Sequence, residues 1–153
     1  MVYRWHSQHW PHHQGVSVST TLTADRAEVA ELFARLADLL DARRPDDART
    51  VYHDDIVVHS PRGGELRGLA EVTGFLKSAL TGEELTQHVH GDVLVHLDGD
   101  RATAAANQLV YFYRDGEPPH RTGGLRVACG AARTPEGWRF TEMRITPAWT
   151  REH

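Results

Sequence analysis

The spacing of hydrophobic residues changes once along the chain, and this change restricts the fold more than any other feature of the sequence. Within residues 29–40 and 69–80, apolar side chains recur every three to four positions, which is typical of amphipathic helices. From residue 86 onward they alternate with polar side chains, which is typical of strands with one buried face. Helices followed by a run of strands predict an α+β domain, in which the helices pack on one face of a curved antiparallel sheet.

Capping and turn residues predict the boundaries of the elements. The first helix is predicted to begin at Asp25, which resembles a capping pair with Glu28, and to end at about residue 42 because Pro45 cannot continue it. A tight turn is predicted at residues 98–100. The other predicted elements are a helix over 46–52, a strand over 54–60, a strand edge within 62–68, a helix over 69–80, and strands over 86–97, 101–113, 122–133 and 137–146.

Composition and charge argue against several classes of protein. The 153 residues are 40% hydrophobic and 25% charged, which is typical of one globular domain with a sizeable core. The net charge is −4 and the basic residues are scattered, so we expect no nucleic-acid partner. No apolar run approaches the roughly 20 residues that cross a bilayer, so we expect no membrane partner. Cys129 is the only cysteine, which excludes an internal disulfide and a multi-cysteine zinc site.

The first residues differ in character from the rest. Residues 1–22 lack hydrophobic periodicity and are predicted to form a flexible or partner-packed arm, ahead of a domain over residues 23–150. The histidines of this arm are spaced like an adventitious metal-binding tract, but the arm is the favoured interpretation. The arm has no continuous apolar stretch typical of a signal peptide, and together with the single cysteine this predicts a cytoplasmic protein.

The segment ELTQHVHGDVLVHLDGD, residues 84–100, concentrates the residues that carry chemistry. His88 and His90 share one face of a regular strand. This arrangement is compatible with three alternatives: a metal-binding pair, an acid–base site and a solvated polar face. A zinc site would need a third ligand, and nothing in the sequence brings His59 or Asp92 to the pair, so no metal is predicted. A bulge at Gly91-Asp92 is predicted to place both histidines on the side of the apolar residues that follow, Val93, Val95 and Leu97.

Four segments carry a resemblance to a known family: LADLLD, YHDDIVVHSP, TQHVHGDVLVHLDGDRATAAANQLVYF and RTPEGWRFTEMRITPAW. In this order, over residues 25–150, they resemble the SnoaL-like branch of the nuclear transport factor 2 superfamily, in the group that includes scytalone dehydratase. The resemblance implies a cone, a bent sheet wrapped around helices that encloses a mostly apolar pocket open at one end. It also implies a homo-oligomer, most often a dimer formed through the exposed sheet surface.

The resemblance implies a role for two residues. His88 would act as general base and then general acid, and the carboxylate of Asp41 would orient its ring. We therefore expect an acid–base enzyme without a cofactor, a dehydratase, isomerase or cyclase, that acts on a small, apolar, oxygenated, polyketide-like metabolite. The alternative is a binding or interaction module without chemistry, because the dehydratase's tyrosine before the aspartate is Leu40 here and its second catalytic histidine falls on Tyr113.

Other polar residues are candidates for contact with a substrate. Tyrosine hydroxyls can donate a hydrogen bond to a carbonyl oxygen, an arginine can hold an anionic or enolate oxygen, and histidine or asparagine side chains can bind polar groups. The candidates are Tyr52, His59, His90, Asn107, Tyr113 and Arg126. Trp138 and Trp149 are expected to pack in the core and at its rim.

Overall fold

The computed structural model describes residues 14–153, and their side chains from Thr20 onward. The order of its elements agrees with the order predicted from the sequence, and the α+β class is confirmed. The elements are α1 (Gln14–Asp41), a 3-10 helix (Pro45–Thr50), β1 (Tyr52–Ser60), β2 (Gly64–Arg67), α2 (Leu69–Ala79), β3 (Leu85–Asp98), β4 (Arg101–Tyr113), β5 (Arg121–Thr134) and β6 (Gly137–Glu152).

The six strands form one sheet in the order β2-β1-β6-β5-β4-β3. Strands β3 to β6 form a continuous antiparallel meander. The sequence predicted an antiparallel sheet, and the sheet is mixed at one place, because the last strand of the meander, β6, pairs with β1 in the parallel direction. Bulges interrupt the β3–β4 and β5–β6 ladders, and irregularities of this kind bend a sheet toward one face.

The predicted start of α1 at Asp25 is wrong, because α1 extends back to Gln14. Asp25 is not a cap but a buried residue that accepts hydrogen bonds from the guanidinium of Arg133 and from the indole Nε1 of Trp138. The carboxylate of Glu28 accepts a hydrogen bond from the backbone N–H of Trp138. The two acids therefore anchor the middle of α1 to the β5–β6 hairpin.

Part of the predicted N-terminal arm lies in α1. Residues 14–22 form the first turns of this helix. Residues 1–13, with the histidine-rich tract, lie outside the described residues, and their predicted role stays a prediction.

The core lies between the helices and the inner face of the sheet. Its largest fully buried side chains include Trp138, Phe33 and Phe140. Along the first half of β4 the inward residues Ala102, Ala104 and Ala106 are small and buried, and small side chains let a helix approach a sheet closely. The inward residues become larger after Ala106, and here a cavity separates the sheet from the end of α1 and from α2.

Candidate active site

The cavity between the end of α1, α2 and the inner face of the sheet has a volume of about 250 Å³. Most of its wall is apolar, formed by leucine, valine and phenylalanine side chains such as Leu36, Val72 and Phe75. The polar side chains in its wall include Tyr52, Ser60, Thr86, His88 and Gln108. A concave, mostly apolar cavity with a few convergent polar groups is typical of a small-molecule site.

A bulge in β3 directs the histidines toward the interior. Gly91 pairs with Asn107 but Leu94 pairs with Ala105, so β3 contains one extra residue between these two pairs. Asp92, inside the bulge, has a φ of 52°. The predicted bulge at Gly91-Asp92 is confirmed.

Because of the bulge, the histidines that precede it and the valines that follow it lie on the same, inward face of β3. His88 lines the cavity and the ring of His90 contacts Phe33, while Val93 and Val95 pack against the core. Leu94 points outward and is 63% exposed. Without the extra residue, the strict alternation of a strand would have turned either the histidines or the valines to the outer face.

The carboxylate of Asp41, at the last residue of α1, accepts hydrogen bonds from three donors on β3. Its Oδ1 lies 2.7 Å from Nδ1 of His88 and 3.0 Å from the hydroxyl of Thr86. Its Oδ2 accepts a bond of 2.8 Å from the backbone N–H of His88. The hydrogen bond expected between Asp41 and His88 is therefore present, and both oxygens of the carboxylate are fixed.

This arrangement determines the tautomer of His88. A carboxylate can only accept a hydrogen bond, so Nδ1 of His88 carries a proton. In the neutral ring Nε2 then holds the free lone pair, and the ring lines the cavity. An imidazole held in this way can take a proton from a molecule in the cavity, while the carboxylate stabilises the imidazolium that forms.

His90 occupies a different environment from His88. It does not line the cavity but lies behind Gln108, whose side-chain oxygen is 3.0 Å from Nε2 of His90. Its Nδ1 is buried and has no hydrogen-bond partner among the described residues. Burial lowers the pKa of His90 below its ordinary value, and its interactions with Gln108 and with the backbone of Phe33 oppose this only in part. His90 is therefore a neutral, half-buried ring near neutral pH.

We expect this burial to make the stability of the protein depend on pH. Between the lowered pKa of His90 and about 6.5, the unfolded chain binds more protons than the folded protein, so stability is fully present above about pH 6.5 and is lost as the pH falls. The free energy of unfolding, measured with urea at about pH 7.5 and about pH 5.5, should fall less in His90→Gln than in the unsubstituted protein. Equal losses in both proteins would contradict the assignment. Asp25 and Glu84, whose pKa values are lowered, lose their contribution only below about pH 4.5.

Three charged side chains form part of the cavity wall, those of Arg43, Arg62 and Glu84. The carboxylate of Glu84 is 2.7 Å from Nε2 of His120 and 3.0 Å from the guanidinium of Arg121. Burial raises the pKa of Glu84, but the hydrogen bond from His120 and the charges of Arg121, His120 and Arg62 outweigh it and lower the pKa. Arg43 donates to the backbone carbonyls of Gly82 and Glu84 and so ties the end of α1 to the start of β3.

Tyr52 is the one further candidate whose side chain lines the cavity. It is buried, and its hydroxyl donates to the sulfur of Met143, a weak acceptor, at 3.8 Å. Burial, with a smaller contribution from Cys129, raises the pKa of Tyr52, so the hydroxyl keeps its proton and is a hydrogen-bond donor.

The other candidates from the sequence lie away from the cavity, so their assignment to its wall is corrected. His59 is on the outer face of β1, with its ring nitrogens 3.5 Å from Glu65 and Glu142. Outward positions of β4 and β5 hold Asn107, Tyr113 and Arg126, because the inward side chains of β4 are those of the even-numbered residues.

Asn107 has a partner on the outer face. Its side-chain NH₂ donates to the carboxylate of Asp92 in the bulge of β3. Tyr113 pairs with Leu85 at the far end of the hairpin. The position that the resemblance assigned to a second histidine is therefore outside the cavity, and the inward residue opposite His88 is Val110.

Sequence reasoning missed Gln108 and Thr86 as cavity residues. The sequence contained one signal for each of these residues. Thr86 precedes His88 by two positions and shares its face on a regular strand. Gln108 lies opposite His90 once the extra residue of the bulge is counted from the predicted turn at residues 98–100.

The part of the chain that the structure describes contains neither a cluster of metal-binding side chains nor a membrane-spanning helix. Within residues 14–153, no three histidine, cysteine, aspartate or glutamate side chains converge as a metal site. No helix in this range combines the length and the apolar character that a membrane span requires.

The fold and the cavity define a class of proteins that enclose a small molecule between a bent sheet and helices. The chain belongs to the family described as SnoaL-like domain, whose model matches residues 21–144. This family is part of the nuclear transport factor 2 superfamily, and the resemblance inferred from the sequence is confirmed. The expected dimer and the cytoplasmic location stay predictions.

Three solved structures illustrate the similarity. The Kfla4162 protein from Kribbella flavida is 26% identical, with 85% of this chain and 95% of that chain covered and a TM-score of 0.76. A candidate scytalone dehydratase from Novosphingobium aromaticivorans is 13% identical, with 88% and 91% covered and a TM-score of 0.78. A type 2 hexachlorocyclohexane dehydrochlorinase, LinA, is 13% identical, with 88% and 93% covered and a TM-score of 0.78. No curated protein matches the chain in sequence.

Proposed function

We propose that the protein is an acid–base enzyme that needs no cofactor and removes a proton beside a carbonyl group of a small, mostly apolar, oxygenated molecule. The observation that carries the proposal is the pair formed by His88 and Asp41 at the wall of the cavity, with 2.7 Å between Nδ1 and Oδ1. Dehydration, isomerisation and cyclisation of a polyketide-like metabolite all begin with this step. Two similar structures are named for eliminations, which supports a reaction of this class.

The residues of the site have distinct parts in the proposed reaction. Nε2 of His88 accepts the proton, and Asp41 stabilises the imidazolium through Nδ1. The same imidazolium then returns the proton, either to a departing hydroxyl or to another carbon of the substrate. The apolar wall excludes water, so that the charges on the imidazolium and the substrate interact more strongly than they would in solvent.

The proposal is tested with simple ketones and without knowledge of the natural substrate. Exchange of the α-protons of acetophenone and 2-tetralone is followed by NMR in D₂O, and loss of water from 4-hydroxy-4-phenylbutan-2-one is followed by the absorbance of the enone. We expect the protein to accelerate at least the exchange in a saturable manner. Saturable binding of these ketones without acceleration of either reaction would contradict the proposal and favour the alternative, a binding module of the same fold.

We expect Asp41→Asn to lower the exchange rate by roughly 10²-fold or more. An asparagine offers one acceptor oxygen where three donors converge, so the backbone N–H of His88 and the hydroxyl of Thr86 compete with the ring for it. If the new NH₂ group faces Nδ1, that nitrogen must accept, and the proton moves to Nε2, where it blocks the base.

The measurement compares Asp41→Asn with Asp38→Asn, which changes an exposed aspartate one turn earlier on α1. The matched control should exchange protons at the unsubstituted rate. Equal rates for both variants would show that the carboxylate of Asp41 has no part in the reaction.

A further inference from the structure

Gln108 is a polar residue in an otherwise apolar row. The inward residues of β4 before it are alanines and the next is Val110, yet Gln108 lies among them at 7% exposure and lines the cavity. A buried amide in an apolar wall is costly unless its hydrogen bonds are made. One of its two polar groups has a partner in the protein, and the other has none among the described residues.

The partner of Gln108 is His90, directly opposite it on β3. The side-chain oxygen of Gln108 faces Nε2 of His90 at 3.0 Å. An amide oxygen only accepts, so Nε2 of His90 donates, and the neutral ring leaves Nδ1 without a proton.

We infer that the side-chain NH₂ of Gln108 donates a hydrogen bond to the carbonyl oxygen of the substrate, and that His90 is the positioning residue that holds the amide in this orientation. The inference rests on the proposed function of the site. Gln108 and His88 are diagonal neighbours on the inward face of the β3–β4 pair, with Cα atoms about 7–8 Å apart in such pairs. This separation suits a base and a donor on either side of an α-carbon and its carbonyl.

Removal of the α-proton by His88 needs no further reagent. The bond between the α-carbon and its hydrogen breaks, and the proton joins Nε2 of His88. The electron pair forms the carbon–carbon double bond of an enolate, and the carbonyl oxygen takes the negative charge. The NH₂ of Gln108 stabilises that oxygen more strongly as the charge develops, which lowers the barrier. His88 and His90 thus act differently: His88 is the base, and His90 acts through Gln108.

The hydrogen bond can be observed directly with acetophenone labelled with ¹³C at its carbonyl. Donation to the oxygen moves the carbonyl resonance of the bound ketone downfield of its position in an apolar solvent. We expect this shift in the unsubstituted protein and its loss in Gln108→Met, which keeps the length of the side chain and removes both polar groups. The exchange rate of Gln108→Met should fall by about 10²–10³-fold. Gln108→Glu is the second variant, since its carboxylate still accepts from His90 and does not donate.

The positioning role of His90 has its own test. His90→Leu removes the donor that holds the amide oxygen, so the carbonyl shift and the exchange rate should both decrease. His90→Gln supplies a donor again and should restore part of both. A purely structural role for His90 would predict no such rescue, and equal behaviour of the leucine and glutamine variants would overturn the assignment.

Different experimental results would contradict this inference and the proposed function. An unshifted carbonyl in the unsubstituted protein, with exchange unchanged in Gln108→Met, would mean that the amide oxygen faces the cavity, and the inference would be overturned while the base remained. A shifted carbonyl without any exchange would contradict the proposed function and would support Gln108 as a donor in a binding site.

Discussion

Replacement of His88 by glutamine is expected to lower the rate of ketone α-proton exchange by about 10²–10⁴-fold, the contribution that a positioned general base makes. Glutamine occupies a similar volume and can still donate to the carboxylate of Asp41, so the cavity wall and the end of α1 should keep their structure. It cannot accept a proton at neutral pH. The rate is measured by NMR in D₂O with acetophenone, and folding is verified by circular dichroism.

The chain offers a matched control for this substitution. His96 lies on the same strand as His88 but beyond the bulge, where its side chain is exposed on the outer face. His96→Gln makes the same chemical change away from the cavity and should leave the rate unaltered. A similar loss in both variants would assign the exchange to something other than the His88 ring, and unchanged rates in both would exclude His88 as the base.

The faces of β3 could be predicted from the sequence because two requirements conflict there. Strict alternation places the histidines on the face opposite to Val93 and Val95, whereas a buried strand needs its valines inside. A single extra residue at Gly91-Asp92 satisfies both requirements, and the structure contains it. The pairing of Asp41 with His88 came from the family resemblance, since two residues 47 positions apart share no local signal.

The faces of β4 and β5 could not be assigned in the same way. An ungapped count from the turn brought Tyr113 to the position of a second catalytic histidine, but the bulge shifts the register by one and Tyr113 lies outside. Asn107 and Arg126 were candidates by residue type alone, and their outward direction depends on which face of the sheet the helices cover. The small side chains of β4 fit either face.

The role of Asp25 on α1 also could not be predicted from the local sequence. An acid three residues before a glutamate resembles a helix start, and local chemistry gives no reason to prefer another role. Its actual partners, Arg133 and Trp138, are 108 and 113 residues away in the chain. Tertiary contacts of this kind override a capping signal, and they make Trp138 the point where α1, β5 and β6 meet.

Replacement of Trp138 by alanine is expected to have the largest effect on stability, a loss of about 3–5 kcal/mol in the free energy of unfolding. The indole is fully buried at 0% exposure, and its Nε1–H donates to Asp25, so alanine leaves a large cavity and removes one hydrogen bond of a buried carboxylate. Trp138→Phe keeps most of the apolar volume and should lose substantially less. The control is Trp149→Ala, because this indole is 50% exposed and should lose less than half as much as Trp138→Ala. The free energies are measured by urea unfolding, and equal losses at the two tryptophans would contradict the central place of Trp138 in the core.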